Sequence, residues 1–176
     1  MMIFESERAM EDALFEVIER TKVVPWDGRP VLKVVRQARL GSFGVSDIII
    51  VIKDGPHDDD ITLMLVELKN TKVKADHLSQ VARYKTFLDG TEASVECVLI
   101  VTPGMPDETD VCYLIQHSDW LTTYELSVSL DSGASYRCLS DCSWRPTSAG
   151  QSPESFYDEL TSEIAGSSEN NCDIGF

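Results

Sequence analysis

At 176 residues the chain suits one domain with a substantial core and is too short for two comfortable ones. Its 43% hydrophobic and 26% charged residues describe a soluble globular protein. There is no apolar run of membrane-spanning length and no basic segment leading into an apolar one at Met1–Glu7, so neither a membrane span nor a signal peptide is expected. An intracellular setting is expected, cytoplasmic if the source is prokaryotic or viral. The formal charge of −15 is unevenly spread: residues 20–85 hold twelve bases against eight acids, residues 86–176 two bases against sixteen acids. A local cationic surface on an acidic body keeps a polyanion open as a partner.

Glu5 to Arg20 reads as an amphipathic helix, with Met10, Leu14, Val17 and Ile18 at the spacing of a core-facing stripe. Ser6 is the expected N-cap, and Glu5, Glu7 and Glu11 suit the positive end of the helix dipole, first of all as solvated acids. Pro25–Pro30 is a turn cluster, Val31–Leu40 alternates loosely as a strand with one wet face, and Gly41–Gly44 breaks it. Val45–Ile52 and Ile61–Lys69, joined by an acidic loop, read as an antiparallel hairpin. The His57–Asp60 cluster reads as a solvated tip before it reads as a cation site.

Ala75–Leu88 returns to helical spacing and ends at Asp89-Gly90, and Ser94–Thr102, with Val95, Val98, Leu99, Ile100 and Val101, reads as a fully buried strand. A parallel return needs a crossover, so the order predicts a mixed sheet with a crossover helix. Beyond Pro103–Pro106, Cys112–Gln116 and Leu121–Leu130 fit either a helix or strands. Phe156–Ile164 reads as an amphipathic helix with Phe156, Leu160 and Ile164 on one side, behind a stretch rich in Ser, Gly and Pro at 132–155. Cys97, Cys112, Cys138, Cys142 and Cys172 form an odd set without a C-x-x-C pair. They read as reduced, packed thiols, with Cys138 and Cys142 spaced as the one conceivable half-site for a metal.

The strand Ile61–Lys69 carries the chemistry. Glu67 and Lys69 are two apart and share one face, where charges are costly unless they are paired or bind something. Folding the hairpin in half brings Asp47, near the start of its first strand, to the same end as Glu67. Gln80 and Tyr84, four apart, lie on one face of the next helix.

Gly44-x-x-Asp47, Glu67-x-Lys69 at a strand end and Gln80-x-x-x-Tyr84 on the following helix together resemble the PD-(D/E)XK, or restriction-endonuclease-like, nuclease superfamily. The Gln-x-x-x-Tyr element is similar to that of RecB-type nuclease domains and the layout is similar to the NucS-like group; the resemblance covers residues 5 to about 102. It implies an α/β fold with a mixed central β-sheet flanked by helices. The chain as a whole reads as a single nuclease-like domain over 1–165, its core at 5–102 and an acidic extension at 103–165, with a flexible tail at 166–176. The resemblance also implies a metal-dependent nuclease that hydrolyses phosphodiester bonds, of DNA sooner than of RNA. Asp47, Glu67 and the backbone carbonyl of Leu68 would hold Mg²⁺ or Mn²⁺, Glu11 would complete the acidic shell, and Lys69 would orient or activate the attacking water. Gln80 and Tyr84 would be positioning groups. Ser46 stands where the family's motif commonly has proline. Lys33, Arg36, Arg39, Lys72, Lys74, Arg83 and Lys85 are the cations available to line a DNA groove, and paired cuts would call for a homodimer. The rival reading is a catalytically inactive nuclease-fold protein that binds a basic protein partner through its acidic C-terminal half, as inhibitor, DNA mimic or complex subunit.

Overall fold

The computed structural model describes residues 4–57, 60–104, 106, 108–129, 131 and 133–140. The amphipathic stripe forms helix α1 (Glu7–Thr21), opened by Ser6, whose hydroxyl accepts the Ala9 amide. After the turn cluster come strand β1 (Val31–Arg39), a single 3₁₀ turn at Gly41–Phe43, and the hairpin of β2 (Val45–Lys53) and β3 (Ile61–Lys69). Helix α2 (Ala75–Leu88) crosses over to β4 (Ser94–Val101), α3 (Thr109–His117) to β5 (Leu121–Ser129), and β6 (Gly133–Cys138) turns back. Of the two alternatives left open by the sequence, 112–116 is therefore helix and 121–129 is strand.

All six strands form one sheet in chain order. β1–β2–β3 is an antiparallel meander, β3–β4–β5 is parallel through the two helical crossovers, and β6 is antiparallel to β5. The chain beyond the stretch that carries the resemblance thus adds a helix and two strands to the same sheet. The helix candidate at 156–164, the segment 166–176, Cys142 and Cys172 lie outside the described residues.

The side-chain period of two sorts the hairpin between two cores. Even-numbered Ile48, Ile50, Ile52, Met64, Val66 and Leu68 pack with Met10, Leu14 and Ile18 of α1. Odd-numbered Ile49, Leu63 and Leu65 pack with Leu78, Val81, Tyr84 and Phe87 of α2 and with Val111 and Ile115 of α3. Each fully buried aliphatic side chain contributes roughly 1.5–3 kcal/mol through removal of its surface from water. Strand β3 is buried on both faces from Thr62 to Lys69, which is why it reads as a continuous apolar run. By the same parity Asp47, Glu67 and Lys69 belong to the α2 face.

Candidate active site

The regular ladder between β2 and β3 runs from Lys53–Ile61 to Ile48–Val66 and stops one residue short of Asp47 and Glu67. There a side chain replaces the backbone: an Asp47 carboxylate oxygen accepts the Leu68 amide at 2.8 Å. On the other side of β2, Arg36 pairs with Ile48 and Ala38 with Ser46, and Gln37 between them has a left-handed backbone with φ 48°. A non-glycine residue in that region costs on the order of 1 kcal/mol and is held only where its surroundings over-determine it.

Glu67 is 1% exposed. Its Oε1 accepts from Lys69 Nζ at 2.8 Å, and its buried Oε2 has no hydrogen-bond partner. Burial, followed by the charge of Asp47, pushes the Glu67 carboxyl up to about 7 against the pull of Lys69 and of the Asp47 backbone amide. Asp47 is raised as well, first by burial, with the Leu68 amide and Lys69 opposing and the charges of Glu11 and Glu7 adding to it. Burial draws the Lys69 pKa down, but the bond to Glu67 and the charges of Glu67, Glu7 and Asp47 outweigh it, so Lys69 stays protonated. The result is two carboxylates and an ammonium crowded at one strand end, with one carboxylate oxygen unsatisfied.

Gln80 and Tyr84 are joined as their spacing requires: the Gln80 amide donates to the Tyr84 hydroxyl at 2.9 Å, and that hydroxyl donates to the Val45 carbonyl at 3.0 Å. Tyr84 is buried, and it ties α2 to the start of β2, two residues before Asp47. Gly44 allows this contact. A Cβ there would lie 3.0 Å from the Tyr84 hydroxyl, and its φ of +124° suits glycine alone. The pair therefore acts on the site through the backbone that carries Asp47.

Glu11 comes from α1, on the opposite face of the sheet. Its charge reaches Asp47, but Oε1 accepts from Arg36 at 2.6 Å and Oε2 from Gln37 at 2.7 Å. Both oxygens are thus engaged in holding α1 to the irregular part of β1. Among the described residues no three His, Cys, Asp or Glu side chains converge as a metal-binding group.

Three neighbours of the site escaped sequence reasoning. Glu7 approaches Lys69 Nζ at 3.8 Å; it lies one helical turn before Glu11, the spacing that places both on one side of α1. Asn70 donates to the Phe4 carbonyl at 2.8 Å while its own buried oxygen is unpartnered. His77, in the first turn of α2, accepts the Lys74 amide on Nδ1, which leaves the proton of the neutral ring on Nε2. Burial, then the charges of Lys69 and Lys74, lower its pKa. No local pattern marks these residues, since each is recruited by an element distant in sequence.

Of the seven cations named for a groove, Lys72 is half-buried and the other six divide into two groups. Arg36 lies over the Phe15 ring and is paired with Glu11 and Asp12, and Lys85 is paired with Asp89. Lys33, Arg39, Lys74 and Arg83 are exposed. At the opposite end of the sheet Arg29 joins Asp27, Asp54 and Glu96, tying the turn cluster to the hairpin tip and the start of β4. Cys97 and Cys112 are buried, and burial pushes the Cys97 thiol up to about 12, so it is chemically quiet. No helix among the described residues is long and apolar enough to cross a membrane. Comparison of the chain with protein-family models, with curated proteins and with solved structures finds no match.

Proposed function

We propose that the chain is a metal-dependent nuclease with a restriction-endonuclease-like fold, acting on phosphodiester bonds of DNA sooner than RNA. The carrying observation is the buried, unpartnered Oε2 of Glu67 beside Asp47. A carboxyl oxygen out of water without a well-formed hydrogen bond is expensive to ionise, and a hard cation is the partner that would let it ionise. Two carboxylates with a backbone carbonyl fit Mg²⁺ or Mn²⁺, which retain waters and take substrate oxygens as further ligands. Asp47, Glu67 and the Leu68 carbonyl would hold the ion. Bound there, it supplies the positive charge that polarises a phosphodiester and favours the ionised form of both acids.

The remaining roles fall to this chain's own groups. Lys69, held protonated by Glu67, puts a cation beside the phosphate as negative charge develops there, and its N–H groups orient a water. It serves as donor and charge stabiliser, since a protonated amine accepts no proton. Gln80 and Tyr84 fix Val45 and with it the placement of Asp47. Exposed Lys74 and Arg83 supply contacts to the nucleic-acid backbone.

The test is incubation of the full chain with single- and double-stranded DNA and RNA in Mg²⁺ or Mn²⁺. Wild type cleaves, and Asp47→Ala loses about 10²–10³-fold, the equivalent of several kcal/mol of transition-state stabilisation. Equal background cleavage by the two proteins removes the enzyme reading. A second reading is favoured by the internal pairing of Arg36 and Lys85: a nuclease fold that binds a basic protein through its acidic C-terminal half. It requires salt-sensitive capture of such a protein with no metal-dependent cleavage.

A further inference from the structure

Helix α2 does not cover the whole of its face of the sheet. Beside its C-terminal end, Val35 of β1, Ile49 and Val51 of β2 and Phe87 of α2 help to line a trench of about 380 Å³. Lys33 and Arg39 of edge strand β1 flank it. Both are exposed, and neither has an ion-pair partner among the described residues. An apolar floor between two unpaired cations calls for an occupant that is apolar on one side and acidic beside it.

The chain contains such a segment. Residues 154–164 place Phe156, Leu160 and Ile164 four apart, with Glu154, Asp158, Glu159 and Glu163 among them and no Lys or Arg. At helical spacing those three apolar residues form one stripe bordered by acids. We propose that residues 154–164 of the same chain occupy this trench, apolar stripe inward, with their acids against Lys33 and Arg39. The chain is last described at Ser140, and Leu139 before it is fully buried in the core cluster that includes Ile49, Leu63, Phe87 and Leu88. It therefore leaves on the same face as the trench. From β6 to β1 is five strand spacings, about 24 Å, and the thirteen residues 141–153 reach about 45 Å when extended. Nucleic acid is the poorer occupant, because a phosphodiester backbone gains nothing from an apolar floor and loses its hydration there. A second copy would bring the same segment, but the thirteen-residue tether holds the chain's own copy at a far higher local concentration.

The inference stands or falls independently of nuclease activity. Full-length protein carrying the photo-cross-linker benzoylphenylalanine in place of Phe156 is irradiated, and the cross-linked peptides are mapped by mass spectrometry. Cross-links at monomer mass to β1, β2 or the end of α2 around the trench are expected. Lys33→Glu together with Arg39→Glu lowers their yield about tenfold, as loss and reversal of exposed charge pairs implies. Leu160→Asp lowers it as well, and circular dichroism checks that each variant is folded. Cross-links confined to other faces, cross-links only between two chains, or a yield unchanged by either set of substitutions overturns the proposal.

Discussion

Glu67 concentrates the energetics of the site in one side chain. Its folded pKa of about 7 stands above its ordinary value of 4.5 because burial and Asp47 disfavour the charge. The folded protein therefore holds this proton more tightly than the unfolded chain does. The resulting stability is fully present below about pH 4.5 and is lost as pH rises through about 7. Between pH 5.5 and 8, without divalent ions, the unfolding free energy of wild type should fall by roughly 1–3 kcal/mol relative to that of Glu67→Gln. Denaturant titrations at stepped pH read this difference. His77, with a lowered pKa, acts in the opposite sense below its ordinary 6.5 and cancels when the two proteins are compared. Lys69 stays charged throughout. Added Mg²⁺ or Mn²⁺ should raise the melting temperature of wild type more at pH 8 than at pH 6, because binding to the native state stabilises it and ionised carboxylates bind better. Glu67→Gln should blunt that rise.

Among the elements, the contact between α2 and the start of β2 governs where Asp47 points. Gly44 has φ +124°, and an added Cβ would lie 3.0 Å from the Tyr84 hydroxyl and 3.2 Å from its ring. Gly44→Ala should cost roughly 1–3 kcal/mol through backbone strain and that contact. Tyr84→Phe should cost about 1 kcal/mol by leaving the Val45 carbonyl without its donor. Removing the hydroxyl also relieves the closest contact of the new methyl, so the double variant should lose less than the sum of the single losses in thermal or urea melts. Strict additivity would show that the hydroxyl does not set the limit at Gly44. The elements themselves were legible because the signals are local. Ser6 caps α1 through its own third neighbour, and Gln80 meets Tyr84 one turn on. The split of 112–129 into helix and strand was not legible, because the same apolar residues satisfy either period until α3 and β5 pack on their neighbours.

Across the whole molecule the candidate site and the Arg29 network occupy opposite ends of the same strands. Arg29 binds Glu96 through both terminal nitrogens and reaches Asp27 and Asp54, and its pKa is raised accordingly, chiefly by Glu96. Arg29→Ala should lower stability by roughly 1 kcal/mol, since the group is partly exposed and solvent screens it. On the proposed nuclease reading it should leave cleavage per folded molecule unchanged. A loss of cleavage larger than the loss of folded protein would show that the hairpin tip communicates with its far end. With a net charge of −15, the protein should also melt higher as salt increases, because self-repulsion is screened more than the few partly buried pairs are weakened.

Local pattern along the chain suffices for the two amphipathic helices, the hairpin and the crossover. It also places Asp47, Glu67 and Lys69 at one strand end, because strand parity and hairpin length need no distant partner. Tertiary structure decided what those groups meet. Glu11 is drawn to Arg36 and Gln37, across 25 and 26 residues, and Glu7 is brought within 3.8 Å of Lys69 instead. Asn70 finds the Phe4 carbonyl 66 residues away. Helix periodicity fixes which side of α1 a glutamate occupies, but its partner depends on how α1 is set against β1 and the end of β3. That placement follows from burying Met10, Leu14 and Ile18 against the even-numbered side chains of the hairpin, a long-range packing choice that no local pattern encodes.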